Sequence, residues 1–161
     1  MAWIPLLRWL HVIGATVLLG AGAGIAFFMV MAVRTRNPTL IAHVAQTVVV
    51  ADLVFTATAV VAQPITGLML ARALGWSLTE GWLVLAIALY VLTGLFWLPV
   101  VAIQLRLRDL ARNADAAGGD LPPAFHSLYR IWLACGVPAF AAVLAIIWLM
   151  VTRPAIGLPW G

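Results

Sequence analysis

Between Val48 and Leu70 the chain reads VVVADLVFTATAVVAQPITGLML, apolar enough to lie in a bilayer and yet carrying a carboxylate, Asp52. At helical spacing Asp52, Thr56, Ala59, Gln63 and Thr66 or Gly67 fall on one face, and Val, Leu, Phe and Ala fill the others. An ionisable group facing hydrocarbon is costly. The hydrophilic stripe must therefore be covered by other helices or front a small wet cavity, and the rest of the chain must be arranged around it.

Three further apolar runs can supply that cover. Their limits predict helices over about 3–33, 40–74, 79–108 and 124–152, an all-α integral membrane four-helix bundle forming a single domain over 1–161. Composition agrees: 65% of the 161 residues are hydrophobic and 9% are charged, against about 25% charged in soluble domains. The first run continues well past Ala21-Gly22-Ala23 and is read as an uncleaved span rather than a signal peptide. Pro64 and Pro138 lie inside the second and fourth helices and predict bends, because each removes a helical hydrogen bond; for Pro64 the bond lost is to the carbonyl of Val60.

All nine basic residues are arginines gathered at the ends of apolar runs, which marks them as topology signals rather than a nucleic-acid surface. With four spans, Arg34, Arg36, Arg106, Arg108, Arg112 and Arg130 share one side, and Arg8, Arg72 and Arg153 the other. The positive-inside rule places the six-arginine side in the cytoplasm of a bacterial inner membrane, with both termini outside. Trp3, Trp9, Trp76, Trp82 and Trp160 fall near span ends, as an interfacial belt would. Cys135 is the one cysteine, so a disulfide framework and a cysteine zinc cage are excluded.

Two other segments carry expectations. Asp109 to Pro123 is the one hydrophilic stretch, with Gly118-Gly119 and Pro122-Pro123, and reads as an exposed loop. Gly20-x-x-x-Gly24 in the first helix offers a small-residue face, either for close packing within the bundle or for a homo-oligomer.

Few residues can carry chemistry. On the third helix Tyr90, Gly94, Trp97, Val101 and Gln104 share a face. At ~1.5 Å per residue Gln63 lies about 16 Å further along the span than Asp52. Depth therefore matches His11 to Gln63 or Ala59, and Asp52 to Trp97 and Arg130. Asp52 reads as a proton or ion site, as a pair with Arg130, or as a neutral acid bonded to Thr or Gln. His11 reads as a metal or haem ligand, or as an interfacial imidazole held by a backbone carbonyl or by Gln63. His43 and His126 can approach one another but bring no third ligand. No catalytic triad, phosphate loop, HExxH helix or CxxC motif is present.

Four segments carry a family likeness: RWLHVIGATVLLGAGAG, ADLVFTATAVVAQPITGLML, LYVLTGLFWLPVVAIQLRLR and PAFAAVLAIIWLMVTRP. Together they resemble the bacterial predicted integral membrane proteins called domain of unknown function 2269, over nearly the whole chain. The QPxTG and FWLPV stretches are the most specific parts. That group is more distantly similar to the copper-resistance protein D superfamily, which includes a haem-binding protoporphyrinogen oxidase and the membrane part of a bacterial urate oxidase. The resemblance implies a four-helix membrane bundle with a histidine early in the first helix, which His11 matches, and a redox role with haem b or a metal at His11, in the service of an electron carrier such as quinone. The chain has no second intramembrane histidine to complete a bis-histidine haem. Two other classes stand beside this one: a scaffold or accessory subunit in contact with lipid and a membrane-complex partner, and a proton or small-solute pathway along the stripe of Asp52, Thr56, Gln63 and Thr66.

Overall fold

The computed structural model describes residues 3–157. Four helices long and apolar enough to cross a membrane make up the described chain: α1 (Trp3–Arg34), α2 (Pro38–Leu74), α3 (Gly81–Ala116) and α4 (Pro123–Thr152). The shortest, at 30 residues, spans ~45 Å and exceeds the ~30 Å of hydrocarbon. Asn37 caps α2, its side chain accepting hydrogen bonds from the backbone N–H groups of Thr39 (3.0 Å) and Leu40 (3.3 Å).

α2 is the irregular helix. It runs as Pro38–Ala51, passes through a π-helical turn at Asp52–Thr56, and continues as Ala57–Ala73. The Ala57 N–H reaches back to the Asp52 carbonyl, so one extra residue is absorbed at the level of the carboxylate. Helix continues unbroken through Pro64, and likewise through Pro99 in α3 and Pro138 in α4. The change in hydrogen-bond pattern along α2 falls at the aspartate, twelve residues before Pro64.

The helices pack as two hairpins. α1 lies against the length of α2, and α3 against the length of α4. The hairpins join where the first half of α2 packs on α3, at the arginine-rich end that carries the α1–α2 and α3–α4 loops. There the main core forms around Ile41, Leu107 and Phe125, all fully buried. Beyond the π turn the second half of α2 leans on α1 and has no comparable packing with α3 or α4, and α1 touches α4 only lightly. The two hairpins are therefore tight at one end and parted towards the other. Leu53, Val54, Phe55, Phe27 and Phe28 project outward from the bundle, as lipid contact requires.

Three local expectations are corrected. α3 does not stop near Arg108: it runs on to Ala116, and Gly118, at φ 61°, ends it. Leu107, Ala111 and Ala114 recur at i, i+4 and i+7 and are buried, and the Thr39 hydroxyl donates to Asp115, so most of the supposed loop is a helix seated on the bundle. Trp82 is buried rather than belt-like: it packs with Ala71 and Leu83, and its N–H donates to Glu80 at 2.6 Å. Trp3 and Trp9 are exposed, and Trp160 lies outside the described residues. A Cβ built at Gly20 or Gly24 would meet nothing within 4 Å, so the GxxxG face makes no close approach within the bundle. The close approach on α1 is at Gly14, where a Cβ would collide with the Gln63 amide.

Candidate functional site

The stripe on α2 is the face the bundle covers. Asp52 is 5% exposed, Thr56 7% and Gln63 9%, and Ala59 between them is buried as well. Leu53, one residue along, is 70% exposed. The periodicity that separates polar from apolar side chains in the sequence thus separates interior from exterior in the fold.

Where the hairpins part, a partly open cavity of about 440 Å³ lies between all four helices. Its wall is mostly small and aliphatic side chains, among them Gly22 from α1, Val60 from α2, Gly94 from α3 and Gly136 from α4. Set into that wall are Asp52, Thr56 and Gln63 from α2, Tyr90, Thr93, Trp97 and Gln104 from α3, and Trp132 from α4. On α3 the cavity face runs through Thr93, Trp97, Val100 and Gln104, so Val100 takes the place expected of Val101. Volume and lining are those of a small-molecule site: a largely apolar cavity of a few hundred Å³ with few convergent polar groups.

The Trp97 indole N–H donates to Asp52 Oδ1 at 3.3 Å, and the Thr56 hydroxyl lies beside the same carboxyl. This realises the expected match in depth. The other expected partner is not there: Arg130 is exposed, and the one ion pair among the described residues joins Arg108 to Asp109. Depth along a span fixes height but not the direction in which a side chain leaves its helix, and Arg130 leaves away from Asp52. The Thr56 hydroxyl and, elsewhere in the wall, the Trp132 N–H are sealed from the cavity, and neither makes a well-formed hydrogen bond. An unpartnered buried polar group costs about 1–3 kcal/mol. Gln104, 5% exposed, lines the same wall, and its amide is not sealed by neighbours as those two groups are. Sequence reasoning missed Trp132. Its signal is a tryptophan ten residues inside a span, too deep for an interfacial belt.

Tyr90 closes the wall on the far side of Asp52. Pro64 has no N–H to offer the Val60 carbonyl, and the Tyr90 hydroxyl donates to that carbonyl instead. The proline therefore creates an acceptor that ties the second half of α2 to α3, where these helices otherwise have little contact. Tyr90→Phe should cost about 1–3 kcal/mol of stability in a detergent unfolding titration. In the Pro64→Ala background, where residue 64 regains its N–H, the same substitution should be near neutral. Equal costs in both backgrounds would show that the carbonyl is not what the hydroxyl serves.

His11 belongs to a separate cluster nearer the terminal end. Its Nδ1 lies 2.8 Å from Thr66 Oγ1, and the Gln63 amide donates to the His11 main-chain carbonyl at 2.8 Å. The Thr66 hydroxyl also lies 2.8 Å from the Ala62 carbonyl, and the imidazole rests on Gly67, where a Cβ would come within 3.1 Å of the ring. His11 and Gln63 thus meet at the expected height, but Gln63 holds the backbone of His11 and Thr66 holds its ring. Haem iron is held by a His, Cys, Met or Tyr side chain, and the one tyrosine in the wall, Tyr90, has its hydroxyl committed to the Val60 carbonyl. That wall contains no His, Cys or Met, and His11 stands outside it. No cluster of three His, Cys, Asp or Glu side chains occurs among the described residues, and His43 and His126 are both exposed. The cavity does not fit haem b with His11 as its ligand.

Four long apolar helices closed over a buried polar wall define an integral membrane protein. The family described as "Predicted integral membrane protein (DUF2269)" matches residues 5–154, and the chain belongs to that family. No curated protein and no solved structure matches it.

Proposed function

We propose that this protein is a membrane-embedded binding protein that holds a small lipid-soluble molecule in the cavity between its hairpins. One observation carries the reading: the ~440 Å³ space is walled by polar side chains that a membrane span has no structural reason to carry, Asp52, Thr56 and Gln104, with the Trp132 N–H beside them in the lining. Buried polar groups are retained where something other than packing needs them. Access from the bilayer runs through the light contact between α1 and α4, where the Phe140 ring lies against Gly22 and would have to swing aside. In the same proposal the arginine-rich end faces the cytoplasm of a bacterial inner membrane, on the six-to-three bias in arginines.

The redox reading at His11 rests on family likeness, and the donor set of the cavity gives it no support. Mass measurement of the intact protein, gently released from detergent, tests the proposal. A fraction of the 17.3 kDa chain should carry one additional molecule of a few hundred daltons that survives removal of bulk lipid. A bare chain at every extraction stringency would overturn it.

A further inference from the structure

The charges and donors in the cavity wall select among lipid-soluble molecules. The wall holds one acidic side chain, Asp52, and no Arg, Lys or His. An anionic head group would face that carboxyl in a medium of low dielectric with no cation to offset it. Two further wall side chains keep open polar atoms: Gln63, whose N–H is spent on the His11 carbonyl and whose Oε1 can only accept, and the Gln104 amide, which both donates and accepts. It lies seven residues, or ~10 Å, along α3 from Trp97, which holds Asp52. The Trp97 N–H is a donor only and is already spent on the carboxyl. What remains on offer is the Asp52 carboxyl, the Gln63 Oε1 and one complete amide, that of Gln104. The group that complements an amide is one that returns both a donor and an acceptor. Much of the remaining wall, including Val60, Val143, Ile146 and Ile147, is aliphatic and suits a hydrocarbon tail.

Resting on the binding role proposed above, we propose that the ligand is an uncharged amphiphile whose head both donates and accepts hydrogen bonds, an alcohol or a carboxamide, with an alkyl tail. Gln104 reads the head and Asp52 excludes acids. A carboxylate- or phosphate-headed lipid is rejected although its tail fits equally well.

Quenching of tryptophan fluorescence by brominated ten-carbon probes tests this on the full chain in detergent. The probes are 10-bromo-1-decanol, 10-bromodecanoate, 10-bromodecylamine and 1-bromodecane. A variant with leucine at both Gly94 and Gly136, which fills the cavity, supplies the blank for quenching from the micelle. The alcohol should bind at least about tenfold more tightly than the carboxylate, a margin equivalent to ~1.4 kcal/mol. Gln104→Leu should bring the alcohol down to the affinity of bromodecane and leave bromodecane unchanged. Asp52→Asn should raise the affinity for decanoate while the alcohol still binds. Equal binding of all four probes above the blank would overturn the head-group selection and leave the binding role standing. Tightest binding by the amine, lost in Asp52→Asn, would overturn it in favour of a cation site. Quenching no greater than the blank for every probe would overturn the selection and the binding role together.

Discussion

Leucines at Gly94 and Gly136 should abolish retention of the bound molecule without unfolding the protein. Both glycines line the cavity, from α3 and α4, and a Cβ built on either would meet nothing within 4 Å. Two isobutyl groups would therefore grow into the cavity rather than into a neighbour. Glycine inside a helix is about 0.8–1.0 kcal/mol less favourable than alanine, and leucine is nearly as favourable as alanine, so the backbone should gain from each change. Stability and binding are expected to move in opposite directions. The midpoint of detergent-induced unfolding should hold or rise, while the added mass seen with the parent protein disappears. A variant that keeps its ligand would place the binding site elsewhere. A variant that unfolds would show that the space is needed for packing.

Phe125→Ala should be the most damaging single truncation in the bundle. Phe125 is fully buried at the start of α4, stacked on Tyr129 with ring centroids 6.4 Å apart, in the core that joins the two hairpins. In soluble proteins such a truncation costs about 3–5 kcal/mol, part of it lost transfer from water and part a cavity. Lipid tails are as apolar as the core, so only the packing part survives in a membrane. A loss of about 2 kcal/mol or more is therefore expected from reversible unfolding in mixed micelles. Phe28→Ala, at an outward-facing position on α1, should change stability by less than about 0.5 kcal/mol. Equal losses at the two positions would mean that the joint between the hairpins does not hold the fold together.

The parts of this architecture legible in the sequence are those set by energy in hydrocarbon. Helix number follows from the apolar runs. The covered face of α2 follows from the cost of exposing Asp52, Thr56 and Gln63 to lipid. Height along a span is also legible, because rise per residue is fixed: it paired Asp52 with Trp97 and His11 with Gln63. Rotation about the helix axis is not, which is why Arg130 matched Asp52 in height and yet turns away. The π turn at Asp52–Thr56 leaves no compositional mark, since it changes which carbonyl an N–H reaches and not which residues are present. Ala111 and Ala114 were obscured by charged neighbours that read as loop, although their spacing from Leu107 carries the helical period. Trp132 shows a further limit. An aromatic residue in a span is as compatible with lipid as with a cavity wall, and only its neighbours on three other helices distinguish the two.

The claim beneath these expectations is that the hydrophilic edge of α2 faces inward, onto a cavity closed by the other helices. Spin labels placed singly from residue 50 to 66, in a background with Cys135→Ser, read this directly through collision with dissolved oxygen, which concentrates in acyl chains. Accessibility should peak at Leu53, Val54, Phe55, Val61 and Ile65 and fall to minima at Asp52, Thr56, Ala59 and Gln63. The minima should recur at intervals of four, three and four residues, the period of one helix face. Maxima at positions 52, 56 and 63 would place the carboxylate against lipid and contradict both the fold's inward polar face and the binding site built on it.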